Sequence, residues 1–252
     1  MADHGLGRLP SPEDARDYRL AALVAALEEG TAATKVWASD RVLDQADTNH
    51  CVGAAWCGWG ICLPTASEYT NEDLHRVYYE CKVIDGDPGE ENGTTLRTGA
   101  KAMRARGRIS RYYFAGSVRE AADFVCTYGS IILGIDWYEG FNDADANGVI
   151  HVAGEIVGGH CILWTGVVVM NGEAYAVLRN SWGTDWGLGG DCYLRLADLA
   201  AVFANRGEAA AATEVLTPIA HRATPVQAFM AALRAWLRGL TTLATDCSAQ
   251  SR

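Results

Sequence analysis

Apolar positions in the first half of the chain recur at three- and four-residue spacing, and in the second half they fall into short continuous runs. Thr70-Asn71-Glu72-Asp73 has the character of a helix start, and Leu74, Val77, Tyr78 and Cys81 behind it fall on one helical face. Val52-Gly53-Ala54-Ala55-Trp56 forms a compact apolar face behind Thr48 and Asn49, so a second helix is predicted from Asn49, with Cys51 in its first turn. A third helical pattern runs from Thr94 to Arg106, after a Gly/Pro/acidic loop from Asp85 to Asn92, and stops at Gly107. Strands are predicted after that glycine at Ile109–Phe114, Ser130–Trp137, His160–Met170, Ala174–Arg179 and Cys192–Leu196, with one helix at Val118–Tyr128. Helices first and strands afterwards imply an α+β protein and not alternating βαβ units.

The two ends differ from this body. Residues 1–36 carry Pro10, Pro12 and the charged group Glu13, Asp14, Arg16 and Asp17, then a short Ala/Leu-rich helix pattern ending at Gly30. Beyond an Ala-rich joint at Gly207–Ala212, residues Val226, Phe229, Met230, Leu233, Trp236, Leu237, Leu240 and Leu243 share one helical stripe. The expectation is a lead-in segment (1–36), a helical lobe (37–107), a β-rich lobe (108–207) and a C-terminal extension (208–252). A helix over 224–245 would dock on the domain or on a partner chain.

At 252 residues and 49% hydrophobic, the chain can bury one large core or two smaller ones. Its formal net charge of −10 argues against nucleic acid and anionic membranes as partners. Met1–Asp17 lacks a basic stretch followed by an apolar run, and no segment reaches the roughly 18 apolar residues of a membrane span. A soluble, cytoplasmic protein is expected. Cys126, Cys161 and Cys192 sit in apolar runs as reduced core residues. Cys51, Cys57, Cys62 and Cys81 form no C-x-x-C pair, so neither a metal nor another cofactor is expected. Asp143, Asp145, Asn147 and Gly148 match half a calcium loop, but Gly154 stands where the closing Glu would be needed, and the stretch reads as a turn-rich loop.

Four residues together can run nucleophilic catalysis by a thiolate. Cys51 at a helix start feels the positive end of the helix dipole, which favours the thiolate. Gln45, six residues upstream, can direct an amide N–H to the same point as the backbone N–H of Cys51 and form an oxyanion hole. His160 opens an apolar strand after Gly158 and Gly159, which leave open space for substrate beside it, and is the candidate base. Asn180 at a strand end can accept from the far ring nitrogen of His160, and Trp182 can shield that bond from water. His50 beside the nucleophile reads as a surface or substrate-side residue, because neighbours on a helix do not face each other. His75 and His151 read as solvated.

The run Asn180-Ser181-Trp182-Gly183-Thr184-Asp185-Trp186-Gly187, with Gly-Gly-His ahead of it and Gln45 six residues before Cys51, resembles the motifs of papain-like cysteine peptidases in the same order. The resemblance covers roughly residues 37–205. It implies a papain-like fold with a helical N-terminal lobe, an antiparallel β-barrel-like second lobe and an active-site cleft between them. It also implies a cysteine endopeptidase acting on peptide or protein substrates through a thioester, with Gln45, Cys51, His160 and Asn180 as catalytic residues. Asn92 and Gly93 fall where that family presents a backbone edge to extended substrate, and Gly159 and Trp182 complete the expected substrate side. The usual aromatic after the nucleophile is replaced by Val52, and Thr48 stands where the family often has a disulfide cysteine. Isopeptide cleavage or transamidation with the same triad, and a non-catalytic module that keeps the fold, remain alternatives.

Overall fold

The computed structural model describes residues 5–21, 34–89 and 91–214. These belong to a compact unit spanning Met1–Val215; the second unit, Leu216–Arg252, lies outside the described residues, and with it the expected helix over 224–245. The short helix pattern ending at Gly30 lies outside them as well.

Helix α1 spans Cys51–Ile61, and ten of its eleven residues are buried. A helix apolar all round is a central helix, and α1 packs against α2 (Asn71–Asp85), α3 (Leu96–Ala105) and the main sheet. Helix α2 starts where the cap formers predicted: Thr70 and Asp73 complete a reciprocal capping box, and Gly86 closes the helix in the left-handed conformation. Thr95 caps α3 through the backbone N–H of Thr98. Gly99 is fixed by packing, because a Cβ there would lie 2.3 Å from the Trp56 ring. Helix α1 itself departs from expectation. Its N-cap is His50 with no side-chain cap bond, while the Thr48 hydroxyl turns back to the Gln45 carbonyl and the Asn49 amide bonds the carbonyl of Glu91.

The main sheet joins eight strands. Its path is β2 (Tyr18–Arg19), β5 (Ile109–Phe114), β10 (Glu208–Glu214), β6 (Ile131–Tyr138), β7 (Ile156–Met170), β8 (Glu173–Arg179) and β9 (Asp191–Arg195), and β3 (Lys35–Val36) pairs with β7 off this path. Every pairing is antiparallel except the short β2–β5 contact. The fold is therefore α+β, but the path is open from β2 to β9 and no closed barrel forms. Helices α4 (Val118–Thr127) and α5 (Leu196–Phe203) pack on this sheet, the second one unforeseen in the sequence.

Two cores lie on opposite faces of the central strands. Ile132, Cys161, Leu163, Ala210 and Ala212 join the core around α1, whereas Ile131, Leu133, Ile135, Ile162, Trp164, Ala209 and Ala211 join the other. Period-two alternation between two buried faces is why these strands read as continuous apolar runs. Residues Glu208–Glu214, read from sequence as part of a joint and an extension, are instead a strand paired on both sides, between β5 and β6. Alanine favours helices when free, but here α3 and α4 pack on β10 and only small side chains fit.

The lead-in also enters the fold. β1 (Arg8–Leu9) pairs parallel with β4 (Thr94–Thr95) in a separate two-stranded sheet. No described helix is long and apolar enough to cross a membrane.

Candidate active site

Cys51 occupies the first position of α1, where the helix leaves backbone N–H groups unpaired and its dipole is positive. The sulfur takes backbone hydrogen bonds from Cys161, Gly7 and Val52. Cys161 directly follows His160 on β7, so the nucleophile candidate sits against the strand that carries the base candidate. Cys51 is fully buried, and burial outweighs these bonds and pushes its thiol up to about 11.

His160 is buried, with the Trp137 ring edge-on at 4.6 Å and Trp182 tilted against it at 4.9 Å. Its Nε2 lies 2.8 Å from Asn180 Oδ1, which also accepts the Ser181 N–H at 2.8 Å. That second bond fixes the amide so that its oxygen faces the ring. Nε2 then carries the hydrogen, and Nδ1 is left to hold or release a proton.

Gln45 is buried between the same motif and the cleft. Its Oε1 accepts from Ser181 Oγ at 2.6 Å, and its backbone N–H donates to the Ser181 carbonyl at 2.8 Å. Its Nε2 donates to the carbonyls of Thr48 at 2.6 Å and Gly5 at 3.1 Å. The structure thus brings together Gln45, Cys51, His160 and Asn180. It adds Ser181 as the residue that aims Gln45 and Trp137 as a second wall of the His160 pocket. Sequence offered no signal for Ser181 beyond its place in the motif, because its partner is 136 positions away.

The expected substrate side is occupied by the chain's own N-terminal segment. The Thr94 N–H donates to the Gly7 carbonyl at 2.9 Å, and a Cβ on Gly93 or Gly159 would lie 2.2 Å from the Gly7 or Arg8 carbonyl, respectively. Both glycines therefore line a backbone groove. Asn92 does not: its side chain accepts from Lys82 Nζ at 2.6 Å, and Lys82 also reaches the Gly93 carbonyl at 2.9 Å and Asp87 at 2.7 Å. Its place is in the support of the groove edge.

His50 is not a surface residue. It is buried, stacked on Tyr78 at 3.7 Å, with Nδ1 2.6 Å from His75 Nδ1 and Nε2 2.9 Å from Glu91. Burial lowers its pKa, against the pull of Glu91. His75, expected to be solvated, is its partner, whereas His151 is exposed and bonds Asp145 at 3.1 Å. Asp145 also accepts from the backbone of Asn147 and Val149, which makes the acidic loop a self-capped turn.

Comparison with known proteins supplies the family. The curated relatives include a cathepsin B-like cysteine proteinase of Caenorhabditis elegans, 31% identical over 31% of this chain, and one of Schistosoma japonicum, 38% identical over 25%. These matches span only about a fifth of those proteins, 21% and 18% of their lengths. Among solved structures, xylellain, a cysteine protease from Xylella fastidiosa, superposes with a TM-score of 0.65 at 15% identity, covering 85% of this chain and 97% of that one. The procathepsin B S9 of Trypanosoma congolense gives 0.62 at 14% identity, over 83% and 86%. At such identity these two speak for the fold. The sequence profile described as "Papain family cysteine protease" matches residues 60–216, which include His160 and Asn180. With that profile covering more than half of its length, the chain belongs to the papain family of cysteine proteases.

Proposed function

We propose that the chain is a cysteine peptidase that hydrolyses peptide bonds through a thioester acyl-enzyme on Cys51. The observation that carries this reading is the His160–Asn180 pair, oriented by Ser181, on a strand whose next residue donates to the Cys51 sulfur. Cys51 loses its proton to Nδ1 of His160, and the thiolate attacks the substrate carbonyl. Gln45 Nε2 and the Cys51 backbone N–H donate to the oxyanion. The C–N bond breaks as His160 returns the proton to the leaving amine, leaving the acyl group on sulfur. Water, deprotonated by His160, then releases the acid and restores the thiol.

Peptide or protein substrates fit the groove, because Gly5–Ser11 already runs through it as extended chain on both sides of Cys51. This supports endopeptidase action. Cys57, Cys62, Cys81, Cys161 and Cys192 are buried free thiols, which accords with a reducing, cytoplasmic setting.

Catalysis requires the segment to leave. A Cβ on Gly7 would lie 1.9 Å from the Asn49 carbonyl, so Gly7→Val expels the segment without touching the four residues above. The test is hydrolysis of a peptide mixture by the Gly7→Val chain, with and without Cys51→Ala. The reading requires new carboxyl termini that vanish with Cys51→Ala. Cleavage that survives Cys51→Ala, or none by the Gly7→Val chain, refutes it. An added amine that becomes incorporated as amide would mark a transferase.

A further inference from the structure

Helix α1 begins without the usual cap. His50 is its N-cap and its carbonyl accepts the Ala54 N–H at 3.0 Å, but its side chain makes no cap bond. Both residues ahead of Cys51 instead reach across to one residue before the groove edge: the Asn49 amide donates to the Glu91 carbonyl, and His50 Nε2 lies 2.9 Å from the Glu91 carboxylate. His50 Nδ1 meets His75 Nδ1 at 2.6 Å, and the His50 ring stacks on Tyr78 at 3.7 Å. Tertiary bonds of the buried His50 ring thus hold the helix start that supplies the Cys51 N–H.

The partners fix the protons. An ionised Glu91 can only accept, so His50 Nε2 carries a hydrogen and the neutral ring leaves Nδ1 bare. His75 Nδ1 is then the donor across the 2.6 Å contact, which has room for one hydrogen. A second proton on His50 would set two N–H groups against each other there. Burial lowers the pKa of His50 from 6.5 against the pull of Glu91, so this set of bonds is complete above 6.5 and is lost as pH falls through the lowered value. Among the described residues, the titratable side chains facing the ring are His75, Tyr78 and Tyr79 from α2 and Glu91 from the loop before β4.

We propose that His50 is a positioning residue: through its bonds to Glu91 and His75 it aims the Cys51 backbone N–H at the substrate oxyanion. This rests on the peptidase reading and adds to it a residue that acts through Cys51 without touching substrate. Glutamine is the conservative replacement, because its amide can donate to Glu91 and accept from His75 but cannot take a second proton.

The experiment compares His50→Ala and His50→Gln in the full chain carrying Gly7→Val, by peptide hydrolysis and by iodoacetamide labelling of Cys51. Hydrolysis develops an oxyanion, whereas alkylation at a saturated carbon develops none, so the two separate aim from thiolate reactivity. His50→Ala should lower kcat by about tenfold or more, with KM and the labelling rate changed by less than about threefold. His50→Gln should restore most of kcat and move the acid-side fall of kcat to lower pH; every other titratable group is common to the two chains. An unchanged kcat in His50→Ala, labelling that falls in step with kcat, or an acid-side fall that stays in place with glutamine overturns the proposal. If the Gly7→Val chain cleaves no peptide, the peptidase reading fails by itself, and position 50 is judged by NMR. The Cys51 amide resonance should then follow the titration of the His50 ring and lose that dependence in His50→Gln. A Cys51 amide indifferent to that titration rejects the positioning role.

Discussion

Two hydrogen bonds determine what His160 can do: Asn180 Oδ1 holds Nε2, and Ser181 N–H holds that oxygen in place. Asn180→Ala should therefore lower kcat by on the order of 10²-fold while changing KM little, because the imidazole loses its tautomer and aim and the groove is untouched. Steady-state kinetics in the Gly7→Val background would read this. Cys51 carries a pH signature of the covered state. Burial raises its thiol from 9.0 to about 11, so the covered conformation favours the protonated thiol. That preference is complete below pH 9 and is lost as pH rises through about 11. Alkylation of Cys51 in the unaltered chain should consequently accelerate across that interval, whereas Gly7→Val should move the midpoint of its pH profile down. An unshifted midpoint would mean that the segment does not govern the thiol. At this scale the four catalytic candidates were legible because each lies in a motif with fixed local spacing. Ser181, Trp137 and the burial of His50 were not, because each depends on a partner that only the folded chain brings near.

Elements carry the next level. Helix α2 shows local chemistry and packing agreeing: the Thr70–Asp73 capping box and the Gly86 terminus were readable, and so was the helix. Thr70→Ala should cost about 1 kcal/mol in urea unfolding, with little effect on activity. Strand β10 is the opposite case, since four consecutive alanines carry no strand signal and only the place between β5 and β6 makes them one. Lys82, buried in α2, ties Asp87, Asn92 and Gly93 together and so holds the groove edge on which β1 pairs. Lys82→Met should loosen residues 87–93, raising their amide exchange and KM more than it changes kcat. Equal exchange in both chains would show that the edge does not need that cation.

For the molecule as a whole, the two cores on opposite faces of one sheet hold the helix that carries Cys51 against the strand that carries His160. Papain-family membership and the α+β plan were legible from motif order and from helices preceding strands. The route of the N-terminal segment was not, because Gly5, Gly7 and Arg8 are recognised only by surfaces assembled from residues 45–51, 93–94, 134–136 and 158–161. The most direct measurement is the rate of iodoacetamide alkylation at each cysteine of the Gly7→Val chain at neutral pH, read by peptide mass spectrometry with and without His160→Ala. The account predicts Cys51 labelled about 10²-fold faster than the buried thiols, with most of that advantage lost when His160 is removed. Cys51 reacting no faster than Cys62 or Cys126, or equally fast without His160, would contradict it.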